Sequence, residues 1–185
     1  MAVLIGLGEL DYGGAVVETS TGVKYAVITQ SSGTYVSLFK DVDGTPTRVA
    51  FLAVQPLAVD AAIDGNDLIH IVYADDAYIR WRRYDAASES WYDPTWEYVA
   101  QYDEGTPADP GVAISIKSSG NPCVVYVNTV KVKGTVFDFV YYKAYDGSVW
   151  GLGEQVNAQN ADHSQVRTTI CVDDDVEVLY SCLLY

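Results

Sequence analysis

Residues 62–91 read AIDGNDLIHIVYADDAYIRWRRYDAASESW, a run that spells strand, tight turn, strand, tight turn, strand. Leu68–Tyr73 mixes β-branched and aromatic residues with others in the manner of a half-buried strand. Asp64-Gly65-Asn66-Asp67 before it is turn chemistry, because Gly and Asn tolerate positive φ and Asp can bond its own backbone. Asp75-Asp76 marks the next turn. Tyr78–Tyr84 is the following strand, with Tyr78, Arg80, Arg82 and Tyr84 on one face and Ile79, Trp81 and Arg83 on the other. Ala86–Ser90 turns again and leads to Trp91.

Degenerate copies lie on both sides. Val112–Ile116, a turn at Ser118–Asn121 and Cys123–Tyr126 form one. Phe139–Asp146 then matches Tyr78–Asp85, and Trp150 follows as Trp91 does. Another begins at Thr168–Val172, turns at Asp173-Asp174-Asp175 and runs to Tyr180. A weaker copy comes first: Ala15–Thr19, Val23–Thr29 and Tyr35–Phe39, with turns at Ser20–Gly22 and Ser31–Gly33. Aligning Ile28, Tyr73, Tyr126 and Tyr180 gives spacings of 45, 53 and 54 residues. Short strands repeating every ~40–50 residues fit propeller blades. The expectation is one all-β, β-propeller-like domain over 1–185, with about four blade repeats of antiparallel strands at 11–56, 57–107, 108–163 and 164–185. The last blade is incomplete. Residues 1–10, carrying the apolar Val3-Leu4-Ile5, are expected as its closing strand, unless a second copy or a protein partner completes the ring. Val72/Tyr73, Val125/Tyr126 and Leu179/Tyr180 occupy equivalent positions, and one of each pair is expected to be buried between blades.

Composition sets outer bounds. A hydrophobic fraction of 49% suits a folded chain, and 25 acidic against 11 basic residues give a net charge of −14. Such a surface repels phosphate backbones and anionic lipid, which argues against a nucleic-acid partner. No apolar run approaches the ~20 residues of a membrane span, so no membrane insertion is expected. Met1–Gly6 lacks the basic segment of a secretory signal. That leaves a cytoplasmic origin, a processed precursor or export by assembly into a particle. Gly6-Leu7-Gly8 lacks the third glycine of a dinucleotide loop and reads as a softened strand. No segment has a helical pattern. Asp103–Gly111 and Gly151–Ser164 read as loops, and Thr95–Gln101 could close a blade.

With Ile63–Tyr73, Tyr84-Asp85 and Trp91 as its fullest copy, the repeat resembles that of sialidase-like β-propellers. Tyr145-Asp146-Gly147-Ser148-Val149-Trp150 is similar to a worn form of that family's Asp-box turn, with its Ser and Thr positions lost. The resemblance implies a propeller and a structural Asp-box. It also implies three arginines from separate blades wherever a sugar carboxylate is bound. Among the five arginines here, Arg80, Arg82 and Arg83 share one strand while Arg48 and Arg167 lie apart. The arginine triad therefore does not carry over. Glycosidase chemistry needs two carboxylates about 5–9 Å apart, and the sequence singles out no pair.

Arg80-Trp81-Arg82-Arg83 is the basic cluster, readable as a contact for an anion or a partner's acids. The plainer reading, which is preferred, pairs it with Asp75, Asp76 and Asp85 next door. Trp91, Tyr92, Trp96, Tyr98 and Tyr102 crowd the end of the same repeat, where aromatics either stack on sugar rings or pack between blades. The candidate ligand or partner site is therefore Arg80, Trp81, Arg82, Arg83, Trp91, Tyr92 and Trp96. His70 falls where other copies carry Tyr25, Cys123 and Glu177, so no ligand role is assigned to it. Asp173–Asp175 reads as a solvated turn, not a calcium site. Cys123, Cys171 and Cys182 show no metal spacing. A turn at Asp173–Asp175 puts Cys171 opposite Glu177, which argues against a disulfide to Cys182. No catalytic residue, cofactor or metal is expected. The function read from the sequence is a non-catalytic structural or adhesive module, such as a virion or tail-associated surface protein, binding a protein partner or a glycan. The alternative is a degenerate sialidase-like glycoside hydrolase.

Overall fold

The computed structural model describes residues 14–29, 35–42, 45–53, 56–107, 110–156, 169–172 and 176–179. The strands are β1 (Gly14–Glu18), β2 (Lys24–Thr29), β3 (Tyr35–Val42), β4 (Thr45–Ala53), β5 (Ala58–Ile63), β6 (Leu68–Ala74), β7 (Tyr78–Asp85), β8 (Ser90–Trp91), β9 (Glu97–Gln101), β10 (Val112–Ile116), β11 (Pro122–Val132), β12 (Thr135–Ala144), β13 (Glu154–Gln155), β14 (Thr169–Val172) and β15 (Val176–Leu179). No helix occurs among the described residues, so none is long and apolar enough to cross a membrane. Sheet 1 has the order β1-β2-β3-β4 and sheet 3 the order β10-β11-β12-β13. Sheet 2 runs β5-β6-β7-β8 with β9 also on β7, and β14-β15 form a small fourth sheet. Every pairing is antiparallel. The expected all-β architecture is present, as a series of open sheets.

Aspartates make the turns. Asp64 Oδ1 accepts from the Asn66 and Leu68 amides, and Asp75 Oδ1 from those of Ala77 and Tyr78. Asp85 and Asp146 do the same for Ala87/Ser88 and Ser148/Val149. Each carboxylate satisfies amides that the ladder leaves unpaired. Part of the chain's acidity is thus turn chemistry.

Consecutive sheets bury apolar faces against each other. Val17, Tyr25, Val27, Val36 and Leu38 of sheet 1 form one core with Val59, Ile69, Ile71, Tyr73 and Tyr84 of sheet 2. The other face of sheet 2, with Val72, Ala74, Ile79 and Trp81, packs on Val112, Ile114, Val124 and Tyr126 of sheet 3. The first strands lie side by side, β1 on β5, β5 on β10 and β10 on β14. Polar bonds tie the same neighbours. Ser20 donates its amide and hydroxyl to Asp67 at 2.8 and 2.6 Å, and Lys143 Nζ reaches the Val99 carbonyl at 2.8 Å.

The half-buried reading of Leu68–Tyr73 is corrected. Ile69 through Ala74 are all buried, because neighbours cover both faces of the sheet. Both members of the aligned pairs are buried: Val72 0%, Tyr73 1%, Val125 0% and Tyr126 3% exposed. The side chains of Leu179 and Tyr180 lie outside the described residues, as do residues 1–10 and Asp173–Asp175. Cys171 pairs with Glu177 across β14-β15, and Cys123 is a buried free thiol. The expected loop Gly151–Ser164 contains the short edge strand β13, and β4 was not foreseen. The β11-β12 hairpin also runs further than Cys123–Tyr126 suggests. It turns at Lys133-Gly134, where φ is 50° and 89°, a turn glycine eases.

Candidate functional site

The outer edge of sheet 2 gathers most of the candidate residues. β8 pairs with Tyr84 and Asp85 at one end of β7, and β9 pairs with Tyr78–Trp81 at the other. The loop Tyr92–Trp96 bridges these two edge strands, and two arginines of β7 hold it. Arg83 gives its backbone amide and Nε to Asp93 Oδ2 at 2.8 and 2.9 Å, and its Nη2 to Oδ1 at 2.6 Å. Arg82 donates from Nε to the Asp93 carbonyl and from Nη2 to the Pro94 carbonyl, both at 2.9 Å. Asp93 is buried. A fork of donors matched to a carboxylate and to two carbonyls fixes the loop's position and orientation.

These contacts revise the expected pairing of the basic cluster. Arg80 does bind Asp75, with Nε 2.6 Å from Oδ2. Arg83 instead takes Asp93, and Asp85 is occupied by its own turn. Asp93 escaped notice because the β7–β8 turn carries it back onto β7, a proximity that sequence spacing does not display. The signal was Asp93-Pro94, a turn dipeptide standing between two edge strands.

Strand alternation sorts the aromatics. Arg80 and Arg82 face sheet 1, together with Tyr84 of that sheet-2 face. Arg82 lies 4.1 Å from the Trp91 ring centre and 6.0 Å from that of Trp96. Arg80 sits between Tyr78 at 4.9 Å and Tyr98 at 4.8 Å. Two arginines each flanked by aromatic rings thus line one rim. Trp91 and Trp96 are half-buried, set edge to face against Tyr84 and Tyr73. Tyr98 is 59% exposed and Tyr92 56%, the latter against Arg83. Tyr98 belongs with the candidate set, although the sequence placed it only in the aromatic crowd.

Trp81 does not belong with it. Its side chain is fully buried, on the face of β7 opposite Arg80 and Arg82, among residues of sheet 3. No surface ligand reaches it, and the strand's alternation is the reason.

Beneath Trp81 lies His70. The Trp81 Nε1–H donates to His70 Nδ1 at 3.3 Å, and His70 Nε2 faces Asp64 Oδ2 at 3.5 Å. Indole can only donate, so Nδ1 carries no proton and the neutral ring turns its Nε2–H to Asp64. Burial, working against the attraction of Asp64, lowers His70 to about 4. Asp60 moves the other way. It reaches from β5 to accept the Ile114 amide of β10 at 2.9 Å, and burial raises it to about 6 against the pull of that amide and of Ala61.

The two groups have opposite linkage. His70, lowered on folding, favours the folded state above its ordinary 6.5 and loses that contribution as pH falls toward about 4. Asp60, raised on folding, favours the folded state below its ordinary 3.8 and loses that contribution as pH rises through about 6. In mildly acidic solution they compensate. Asp60→Asn keeps an acceptor for Ile114 and removes the compensation. The stability difference between variant and wild type should then grow by about 1.4 kcal/mol per pH unit on going from pH ~4 to ~6, and level off above. Urea unfolding across that range checks it, and parallel curves would show that Asp60 does not titrate there.

Among the described residues no cluster of three or more His, Cys, Asp or Glu side chains could hold a metal ion. No protein-family profile matches the chain, and no curated protein matches it. Among solved structures, it is similar to a fucose lectin from Kordia zhangzhouensis, solved in complex with methyl-fucoside. The TM-score is 0.48 and the identity 16%, over 80% of this chain and 99% of that one. The all-β assignment stands on the strands themselves.

Proposed function

We propose that the sheets are successive blades of a propeller-like arc, and that the chain is a non-catalytic binding module taking a neutral glycan at the outer rim of sheet 2. The observation that carries the reading is the paired arrangement of Arg82 between Trp91 and Trp96 and of Arg80 between Tyr78 and Tyr98, on edge strands joined by a loop clamped by hydrogen bonds. Aromatic faces stack on the C–H faces of sugar rings, and an edge fixed in advance loses little entropy when it binds. The blade reading is supported by first strands lying side by side from sheet to sheet and by each sheet's apolar cover from its neighbours.

The charges favour a neutral sugar over an acidic one. Arg80 and Arg83 already hold Asp75 and Asp93, and they point to opposite faces of β7. Among the described residues no group of arginines converges to clamp a sugar carboxylate. That same fact weighs against the sialidase-like hydrolase reading.

A glycan array with neutral and sialylated members, followed by calorimetric titration of hits, tests this. A neutral glycan should bind, and Tyr98→Ala and Trp96→Ala should each weaken it tenfold or more. Tyr98 is exposed, so its loss leaves the fold intact and isolates the contact. Binding confined to sialylated members, or a Tyr98→Ala/Trp96→Ala double variant with wild-type affinity, would defeat the proposal. Turnover of a fluorogenic sialoside would favour the hydrolase instead.

A further inference from the structure

We infer, resting on the glycan reading of the sheet 2 rim, that Lys143 of sheet 3 is a positioning residue for that rim: its ammonium holds the bulge that turns Tyr98 toward Arg80.

β9 is an edge strand that pairs with β7 out of step. Ile79 pairs with Ala100 and Arg80 with Tyr98, so Val99 stands between them with no residue opposite. One extra residue in a strand is a β-bulge, and it re-aims the side chains beyond it. In a regular ladder Val99 would stand opposite Arg80, and Tyr98 opposite Trp81 on the face turned to sheet 3. With the bulge, Val99 joins Ala100 in the core shared with sheet 3, and the Arg80 guanidinium lies 4.8 Å from the centre of the Tyr98 ring. The bulge therefore decides whether this exposed ring belongs to the rim.

Lys143 reaches across the seam to the bulge. Its Nζ donates to the Val99 carbonyl at 2.8 Å. β12 aims it there. Lys143 pairs with Val124, which is buried in the core between sheets 2 and 3, and cross-strand partners share a face. The stem has little freedom. The backbone at Gly153 passes so close that a Cβ on it would stand 3.4 Å from Lys143 Cε and 3.0 Å from the Tyr126 hydroxyl. Burial pulls the ammonium below the usual lysine range, with Asp103 opposing, as suits a charge held inside a seam. A bond from a charged donor is one of the stronger kinds. β9 has β7 as its ladder partner among the described residues, so the bulge is not held from its other side by a strand. The repeat position of Lys143 in sheet 2 is Arg82, which holds its own sheet's loop. Arg82 thus fixes the loop that carries Trp96, and Lys143 fixes the strand that carries Tyr98.

Lys143→Met keeps the stem and removes the donor. Nuclear magnetic resonance of the full chain, without ligand, reads the Arg80 Nε–H, which is bonded to Asp75 and lies beside the Tyr98 ring. Lys143→Met and Tyr98→Ala should move this signal in the same direction, and Lys143→Arg should restore it. The Val99 and Ala100 amides should exchange roughly tenfold faster in Lys143→Met, the worth of one charge-assisted bond, while the β6 amides keep the wild-type rate. Lys143→Gln, which keeps a donor without the charge, is the second variant should the methionine chain not fold, with a smaller change expected in both readouts. Calorimetry with methyl glycosides of neutral hexoses then reads the rim. Lys143→Met should weaken binding, and should add nothing in a Tyr98→Ala background. A wild-type Arg80 signal with wild-type exchange in Lys143→Met would overturn the inference, and so would a loss of affinity that persists undiminished in the Tyr98→Ala background. An Arg80 signal that follows Lys143 in a chain that binds no glycoside would support the positioning of Tyr98 and defeat the glycan reading alone.

Discussion

Val125→Asp is expected to abolish folding. Val125 is fully buried in a small core with Val127 and Val140, on the face of sheet 3 away from sheet 2. Its ladder partners are Ala113 on one side and Tyr142 on the other. Neither offers a charge or a donor aimed at a carboxylate there. A carboxylate placed in that setting costs several kcal/mol, whether it stays ionised or takes up a proton to avoid it. Domains of this size are stable by only about 5–15 kcal/mol, so one such change consumes much of the margin. Circular dichroism and urea titration read the result. Val16→Asp is the matched control, the same chemical change at a position 70% exposed, and its chain should remain folded. A Val125→Asp midpoint equal to wild type would mean that the register of β10, β11 and β12 is wrong.

The contrast between these two valines shows what the sequence could display. Period-two alternation and turn residues located the strands of sheet 2, because both are local properties. Asp64, Asp75, Asp85 and Asp146 each act on amides two to four residues away, so their role is visible in a short window. The pairing of Cys171 with Glu177 across the hairpin was legible for the same reason. Burial on both faces was not. It depends on neighbouring sheets some fifty residues away, and alternation within one strand says nothing of whether its second face is also covered. The two-residue β13 is too short to carry any pattern, and β4 was missed because its apolar run Val49–Ala53 shows no alternation.

The site divides along the same line. That Arg80 and Arg82 share a face, with Trp81 opposite, follows from strand geometry alone. That Arg83 grips Asp93, and Arg82 the carbonyls of Asp93 and Pro94, depends on how the edge of sheet 2 is interrupted between β8 and β9. Such an interruption has no fixed signature, because a loop that leaves and rejoins an edge can have many lengths. Tyr98 shows the consequence. Its pairing opposite Arg80 includes a register shift in β7, and a one-residue shift exchanges the faces of everything beyond it.

Trp81→Ala is expected to produce the other large loss, about 3–5 kcal/mol from the cavity alone. Trp81 heads the fully buried side chains by volume. Its ring centre lies 5.0 Å from that of Tyr145 and 5.4 Å from that of Trp150, edge to face with the latter, so it joins sheet 2 to the last turn of sheet 3. Arg83 lies over its ring at 4.9 Å, and the substitution therefore loosens the clamp on Asp93 from below. It also removes the donor to His70 Nδ1, leaving a buried acceptor unsatisfied at a further cost of about 1–3 kcal/mol. Trp81→Phe separates these effects, since it keeps most of the ring and loses the N–H. Its destabilisation should fall well short of the alanine variant's. Unfolding in urea measures both, and Trp96→Ala supplies the comparison. Trp96 is half-buried on the rim, so its loss should lower glycan affinity more than it lowers stability, and Trp81→Phe should do the reverse. A Trp81→Ala protein as stable as wild type would return Trp81 to the candidate binding residues and remove it from the core.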